Sequence, residues 1–301
     1  MSRLSCIILA LSAVLCLVMA QQMPATDEKI VADFLNRYSP IEDNLNGIPV
    51  RNMTCITRHC TGQISACIGD ALCRQDMQCA GQCAADDTVC TFVCTESYQN
   101  PKAAAMMQCL YVDYECLSLP PPDALNNATC REPTQHVESV DEDLLNGDWY
   151  VLQGFNPLYD CFACQELTFS VNDGKIDYSA LFNMLAANKT EIWVTADMEG
   201  EDRSTPGLLK MTGSENGLPD EQDWYVMLLT DDTLVVYYCG AVLSWHFEGL
   251  LVMSKTKELN KDREADIAAI LASLDIAEDE LCVLDPLANC DASPAAALFI
   301  Q

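Results

Sequence analysis

From Gly147 to Ser254 apolar and polar positions alternate in short runs, the period of half-buried β-strands rather than of helices. Such runs fall near 148–155, 164–171, 174–181, 191–198, 206–213, 222–229, 233–239 and 246–254. Turn formers such as Asn172-Asp173-Gly174 and Asp231-Asp232 sit between them, where hairpins need them. Gly147-Asp148-Trp149-Tyr150 opens the series: the glycine permits close backbone approach, and the indole can plug one end of a closed sheet. These features predict an antiparallel barrel able to hold one small apolar ligand. A helix is expected over 257–276, with Ile267, Ile270, Leu271 and Leu274 on the face that packs on the barrel wall. Barrel and helix together span 144–282, leaving 283–301 as a tail.

Upstream the pattern changes from strands to cysteines. Residues 51–118 carry Cys55, Cys60, Cys67, Cys73, Cys79, Cys83, Cys90, Cys94, Cys109 and Cys116, with few large apolar side chains between them. No Cys-x2-Cys knuckle occurs, so a zinc ribbon is not expected and no metal is assigned. Cys79-x3-Cys83 and Cys90-x3-Cys94 each place two sulfurs one turn apart on a helix face. Two such helices folded antiparallel pair Cys79 with Cys94 and Cys83 with Cys90. The same nesting predicts Cys55–Cys73 outside Cys60–Cys67, leaving Cys109–Cys116. Bridges would then replace a core in a small helical domain. The proline run Pro120-Pro121-Pro122 and polar residues after it read as a stiff linker over 119–143. A leader over 21–50 holds one helical turn near Val31–Tyr38.

Charge and cysteine usage narrow the setting. A net charge of −29 excludes a nucleic-acid surface and disfavours docking on an anionic bilayer. Residues 1–20 read as a signal peptide: Arg3, an apolar core from Cys6 to Val18, and a small-residue cleavage site at Val18-Met19-Ala20. Beyond it lie all but Cys6 and Cys16 of the 18 cysteines, an even number that implies disulfides in an oxidising compartment. Sequons at Asn52, Asn127 and Asn188 fit a glycoprotein on the secretory route. Secretion or an endomembrane lumen is the expected destination, with a plastid thylakoid lumen as the alternative.

The ladder Cys-x4-Cys-x6-Cys-x5-Cys-x5-Cys-x3-Cys-x6-Cys-x3-Cys-x14-Cys-x6-Cys resembles that of the violaxanthin de-epoxidase family. So do Asn146-Gly-Asp-Trp-Tyr150, Gly154-Phe-Asn-Pro157, Asp160-x-Phe-x-Cys-Gln165, Gln222-Asp-Trp-Tyr225, Val236-Tyr-Tyr-x-Gly240 and Trp245. The likeness covers about residues 51–282. It implies a cysteine-rich domain joined to a lipocalin-type barrel, mainly β in class. It further implies removal of epoxide oxygen from a xanthophyll, with ascorbate as co-substrate, and a disulfide between Cys164 and Cys282. Tyr238, Gln222 and Asp223 fall where the family keeps its catalytic tyrosine and acid. Asp160, Phe162, Gln165, Trp224 and Trp245 are the expected substrate contacts.

The acid position departs from the family. Anchored on Trp224, alternation sends Gln222 into the barrel and Asp223 outward, and an amide cannot deliver a proton. Only a bulge or a one-residue shift would turn Asp223 inward. A second family carboxylate is replaced by Ala163. Cys161 and Cys239 have no counterpart in the enzyme and are expected to bridge the barrel mouth, leaving Cys130 for Cys290. A glutamate-rich extension, which the family associates with low-pH membrane attachment, is not seen, so membrane contact is expected to be transient at most; a low-pH homodimer is a further family expectation. Three functions follow: a xanthophyll de-epoxidase, a noncatalytic carotenoid- or lipid-binding lipocalin, and a secreted disulfide-stapled interaction protein.

Overall fold

The computed structural model describes residues 53–84, 87–119, 127–172, 174–202 and 205–290, which form two compact units divided near residue 123, with Asn216–Leu218 grouped with the first. The signal segment, the leader, Asn52 and the end of the tail lie outside the described residues. Among the described residues no helix is long and apolar enough to cross a membrane.

The first unit is helical, built mainly from Thr61–Ile68, Ala71–Ala80, Thr88–Ser97 and Pro101–Gln108, with π-helical turns at Ile56–Cys60 and Cys109–Asp113. Short polar side chains start three of these helices. Asp70 accepts from the Leu72 and Cys73 amides, Asp87 from Cys90, and Asn100 from Lys102, with Pro101 following where its missing N–H costs nothing. Ile56, Ile64, Met77, Met106 and Leu110 form a small core, almost fully buried.

Cys79–Cys94 and Cys83–Cys90 bond as nested rungs between the second and third helices. The other three expected pairs are corrected. Cys55 bonds Cys116, Cys60 bonds Cys109, and Cys67 bonds Cys73. Nesting is still the rule, but the first helical stretch nests with the last one rather than with its neighbour in sequence. His59 and Tyr114 stack at 4.2 Å beside this closure. Cys67–Cys73 then only closes the tight Gly69-Asp70 turn, a local bridge with no room for a second rung inside it.

The second unit is an eight-stranded antiparallel barrel of the lipocalin type. Its strands are β1 (Gly147–Gly154), β2 (Cys164–Asn172), β3 (Lys175–Leu185), β4 (Glu191–Asp202), β5 (Leu208–Glu215), β6 (Leu218–Leu229), β7 (Thr233–Val242) and β8 (Trp245–Ser254). Each pairs with its sequence neighbour, and β1 pairs with both β2 and β8, so the sheet closes and leaves no free edge there. A short β9 (Cys282–Val283) adds to β1. Asn216 and Gly217, both at positive φ (50° and 84°), make the two-residue hairpin between β5 and β6. Trp149 is fully buried and donates its indole N–H to the Leu145 carbonyl (2.7 Å), with Lys255 over its ring, closing one end.

The expected helix is shorter than its pattern: a 3-10 turn at Lys261–Arg263 leads into the helix Glu264–Ser273. Asn260 caps the turn through the Asp262 amide (3.0 Å). Ile267, Leu271, Leu274 and Ile276 pack on the outward side chains Met227, Val235, Tyr237, Leu250 and Val252, with Ile270 partly buried at the margin.

The stretch read as a linker is, from residue 127 on, a strap along the barrel. Ala128 N–H donates to His246 O (2.9 Å), Arg131 N–H to the Tyr237 hydroxyl (2.8 Å), and Val137 N–H to Val226 O (2.9 Å). Arg131 also pairs with Glu248 (2.5 Å). Alternation explains the strap's disulfide: Cys239 points outward, opposite Tyr238, and bonds Cys130 rather than reaching Cys161 across the mouth. Cys161 instead bonds Cys282, and Cys164 bonds Cys290, correcting Cys164–Cys282 and Cys130–Cys290. The pairing of β9 with β1 sets Cys282 opposite Gly154, beside the loop carrying Cys161. The chain then turns through Pro286–Asn289 to bring Cys290 to Cys164.

Cys161–Cys282 and Cys164–Cys290 close nearly the same long loop, with sequence separations of 121 and 126. Once either is formed, the other closes a loop of only about a dozen residues, worth about 3 kcal/mol in the chain-entropy model. Removing each pair by serine substitution should therefore cost about 3 kcal/mol in denaturant unfolding, and removing both should cost more than the sum.

Candidate functional site

The Trp149 plug closes one end of the barrel, and the register says which side chains lie towards the other. Trp149 and the β2–β3 and β6–β7 turns mark the plugged end. The 155–163 loop and the β3–β4, β5–β6 and β7–β8 connections ring the other. On β6, β7 and β8 the inward positions form rows. The row farthest from the Trp149 plug is Asp220, Val242 and Trp245; the next is Gln222, Gly240 and Phe247; below it come Trp224, Tyr238 and Gly249.

Two glycines make these rows possible. A Cβ at Gly249 would collide with the Tyr238 ring, and one at Gly240 would collide with Phe247. Phe169, Tyr178 and Trp149, all buried, complete an aromatic interior: Tyr178 lies 4.9 Å from Trp224, and Trp224 stacks on Tyr238 at 5.9 Å.

Asp160 is the best-held polar group in this interior. It is 1% exposed and accepts from Asn156 N–H (2.8 Å), Phe155 N–H (3.2 Å), Leu250 N–H (3.2 Å) and the Tyr238 hydroxyl (2.6 Å). Gly154 is required here, because a Cβ there would overlap Asp160. Burial pushes the Asp160 carboxyl up to about 7 despite those four donors, which favour its ionised form. Burial and the Asp160 charge raise Tyr238 well above the ordinary tyrosine value, so the phenol keeps its proton.

Gln222 points into the barrel beside Trp224 and Asp223 points out, where it pairs with Lys210. The strand is not shifted: its one irregularity lies between Val226 and Leu228, after the site. Asp223, expected among the catalytic candidates, is therefore not brought to the interior. Gln165 is buried on β2, with Nε2 donating to Tyr159 O (3.3 Å) and Oε1 without a partner. Phe162 is half-buried and stacks on Phe182 at 4.3 Å. Trp245 is half-buried in the row farthest from the Trp149 plug. Asn127 and Asn188 are both exposed.

Asp220 was not foreseen, although the alternation that places Gln222 inward also places Asp220 inward two residues earlier. Burial pushes its carboxyl up to about 7, against the bond from Gln222, with Glu221 adding repulsion. Among the described residues, two sulfur-bearing clusters have ligand atoms close enough for a metal ion, Cys83-Cys90-Cys94 and Cys164-Glu166-Cys290. Every cysteine in them is in a disulfide, so neither offers a thiolate while oxidised.

Asp160 and Asp220 share their upward shift with Asp76 and Glu96 of the helical unit, each pushed by burial to about 7. The folded chain thus keeps four protons over a range where the unfolded chain, with ordinary carboxyls near 4, has released them. This contribution favours folding below about pH 4 and turns against it as pH rises towards 7. Calorimetry should give a melting temperature at least about 5 °C higher at pH 5 than at pH 8.

Comparison with known proteins agrees with this architecture. Residues 52–286 match the family described as the VDE lipocalin domain. The violaxanthin de-epoxidase of Spinacia oleracea is 26% identical over 205 residues, covering 65% of this chain and 43% of the relative. The enzymes of Nicotiana tabacum and Arabidopsis thaliana are 23% identical over 224 and 220 residues, covering 72% and 70% of this chain and 46% and 47% of theirs. All three are named as chloroplastic, and the chain spans less than half the length of each. With the model match running through both units, the chain belongs to the VDE lipocalin domain family.

Proposed function

We propose that the barrel takes up a xanthophyll, or a similarly long apolar epoxide, and removes the epoxide oxygen with ascorbate as reductant. The observation that carries this reading is the buried Asp160–Tyr238 pair beside the buried aromatic side chains Trp224 and Phe247. The apolar and aromatic side chains of the interior suit a long hydrocarbon. Opening an epoxide needs a proton on oxygen and stabilisation of positive charge developing on carbon; a protonated carboxyl and nearby aromatic faces are suited to both. Tyr238, held by Asp160, would fix the ring against Trp224 and Phe247. Carboxyls that stay protonated towards pH 7 suit an acidic lumen, and the names of the relatives favour the plastid over secretion.

Gln222 favours a second reading. It fills the inward position where the family resemblance expects the acid, and an amide cannot protonate an epoxide. The barrel would then bind its pigment without turning it over.

Incubation with violaxanthin and ascorbate near pH 5, followed by pigment absorbance and chromatography, separates the two. De-epoxidised product that falls at least tenfold in rate in Tyr238→Phe supports the enzyme. Retained, unchanged pigment supports the binder.

A further inference from the structure

Along β6, away from the Trp149 plug, Trp224, Gln222 and Asp220 enter the barrel in succession and are linked in a chain of fixed direction. The Trp224 indole can only donate, so it takes Gln222 Oε1 (2.7 Å), which turns the Gln222 amide nitrogen onto Asp220 Oδ2 (2.8 Å). Asp220 Oδ1 remains buried and has no hydrogen-bond partner. Its cross-strand neighbours on the inward face are Val242 and, beyond it, Trp245. A buried carboxyl oxygen facing apolar walls is stable there when it carries a proton or meets a ligand that bonds it. The charged groups acting on this region are Asp160, whose field reaches Tyr178 as that of Asp220 does, and Glu221, the next residue on β6.

We propose that Asp220, not the position filled by Gln222, is the proton donor of this barrel, and that Gln222 is its positioning residue. The proposal rests on the de-epoxidase reading. Asp220 Oδ1–H gives its proton to the epoxide oxygen as one C–O bond breaks and that bond's electron pair passes to oxygen. Two electrons from the enediol of ascorbate form the ring C=C as the second C–O bond breaks. Of the two protons released by ascorbate, one completes the departing water and the other returns to Asp220; ascorbate leaves as dehydroascorbate. Burial, which pushes the Asp220 carboxyl up to about 7, fits a donor that is loaded below neutral pH.

The test compares the full-length protein with Asp220→Asn, Asp220→Glu and Gln222→Leu, measuring violaxanthin binding by tryptophan quenching and turnover with ascorbate between about pH 4.5 and 8. Asp220→Asn is isosteric and removes a buried ionisable group, so the fold and pigment affinity should persist. Its kcat should fall by about 100- to 10,000-fold. Asp220→Glu should recover part of the rate. Wild-type kcat should decline as pH rises through about 7, a limb absent from the residual activity of Asp220→Asn. In Gln222→Leu the limb should move to higher pH, because the bond favouring the ionised form is gone, and kcat should drop severalfold. Turnover by Asp220→Asn within about threefold of wild type overturns the assignment and leaves the de-epoxidase reading standing. Loss of binding together with turnover in that variant also overturns it, since Asp220 would then shape the site rather than donate. Wild-type protein that binds pigment without turnover overturns both.

Discussion

The carboxylate of Asp160 joins three parts of the chain that are far apart in sequence. Its two oxygens take the amides of Phe155 and Asn156 in the loop after β1, the amide of Leu250 on β8, and the phenol of Tyr238 on β7. A buried carboxyl is costly without partners, so these donors must all be present at once, and together they fix the path of the loop against β7 and β8. Glycine at 154 and 249 follows from the same constraint, because any side chain there would displace Asp160 or Tyr238. Cys161, next in sequence, is then led to the β9 strand and its bridge with Cys282. One carboxylate thereby sets the position of a loop, two strands and a disulfide.

The second constraint is the two-residue period of the strands. It separates Tyr238, in the interior, from Tyr237 and Cys239, on the outer wall. The outward side chains have their own partners: Tyr237 donates to Glu248 (2.7 Å) and packs under the Glu264–Ser273 helix, while Cys239 anchors the strap at Cys130. On β6 the same period gives Asp223 to Lys210 outside and aligns Trp224, Gln222 and Asp220 inside. A one-residue slip would reverse all of these assignments together, which is why register is strongly specified here. The acidic composition is therefore of two kinds: most carboxyls keep the surface soluble, whereas the few that are buried are ones whose protons the fold retains.

The barrel was legible in the sequence to within a few residues at each strand, because alternation and turn chemistry are local properties. The inward position of Gln222, the outward position of Asp223 and the apolar face of Ile267, Leu271 and Leu274 were legible for the same reason. The rungs Cys79–Cys94 and Cys83–Cys90 could be read from one helical turn of spacing. Asp220 obeys the same alternation, but it lies before residue 222, where the sequence pattern begins this strand, whereas the folded strand starts at Leu218.

What only the tertiary structure decided is who meets whom across long stretches of chain. Cys55 and Cys60 nest with Cys116 and Cys109 because the first and last helical stretches pack together, and no local spacing encodes that choice. Cys161, Cys164, Cys282 and Cys290 are equally compatible with several pairings until β9 adds to β1. The polar run after the prolines carries no periodicity that distinguishes a free spacer from a strap, yet its amides find acceptors on the barrel wall. Sequence determined the faces of each strand and helix, since a side chain's direction follows from the backbone's own period. The partners of those faces were set by burial and by the need to satisfy every buried polar group, which are properties of the closed fold alone.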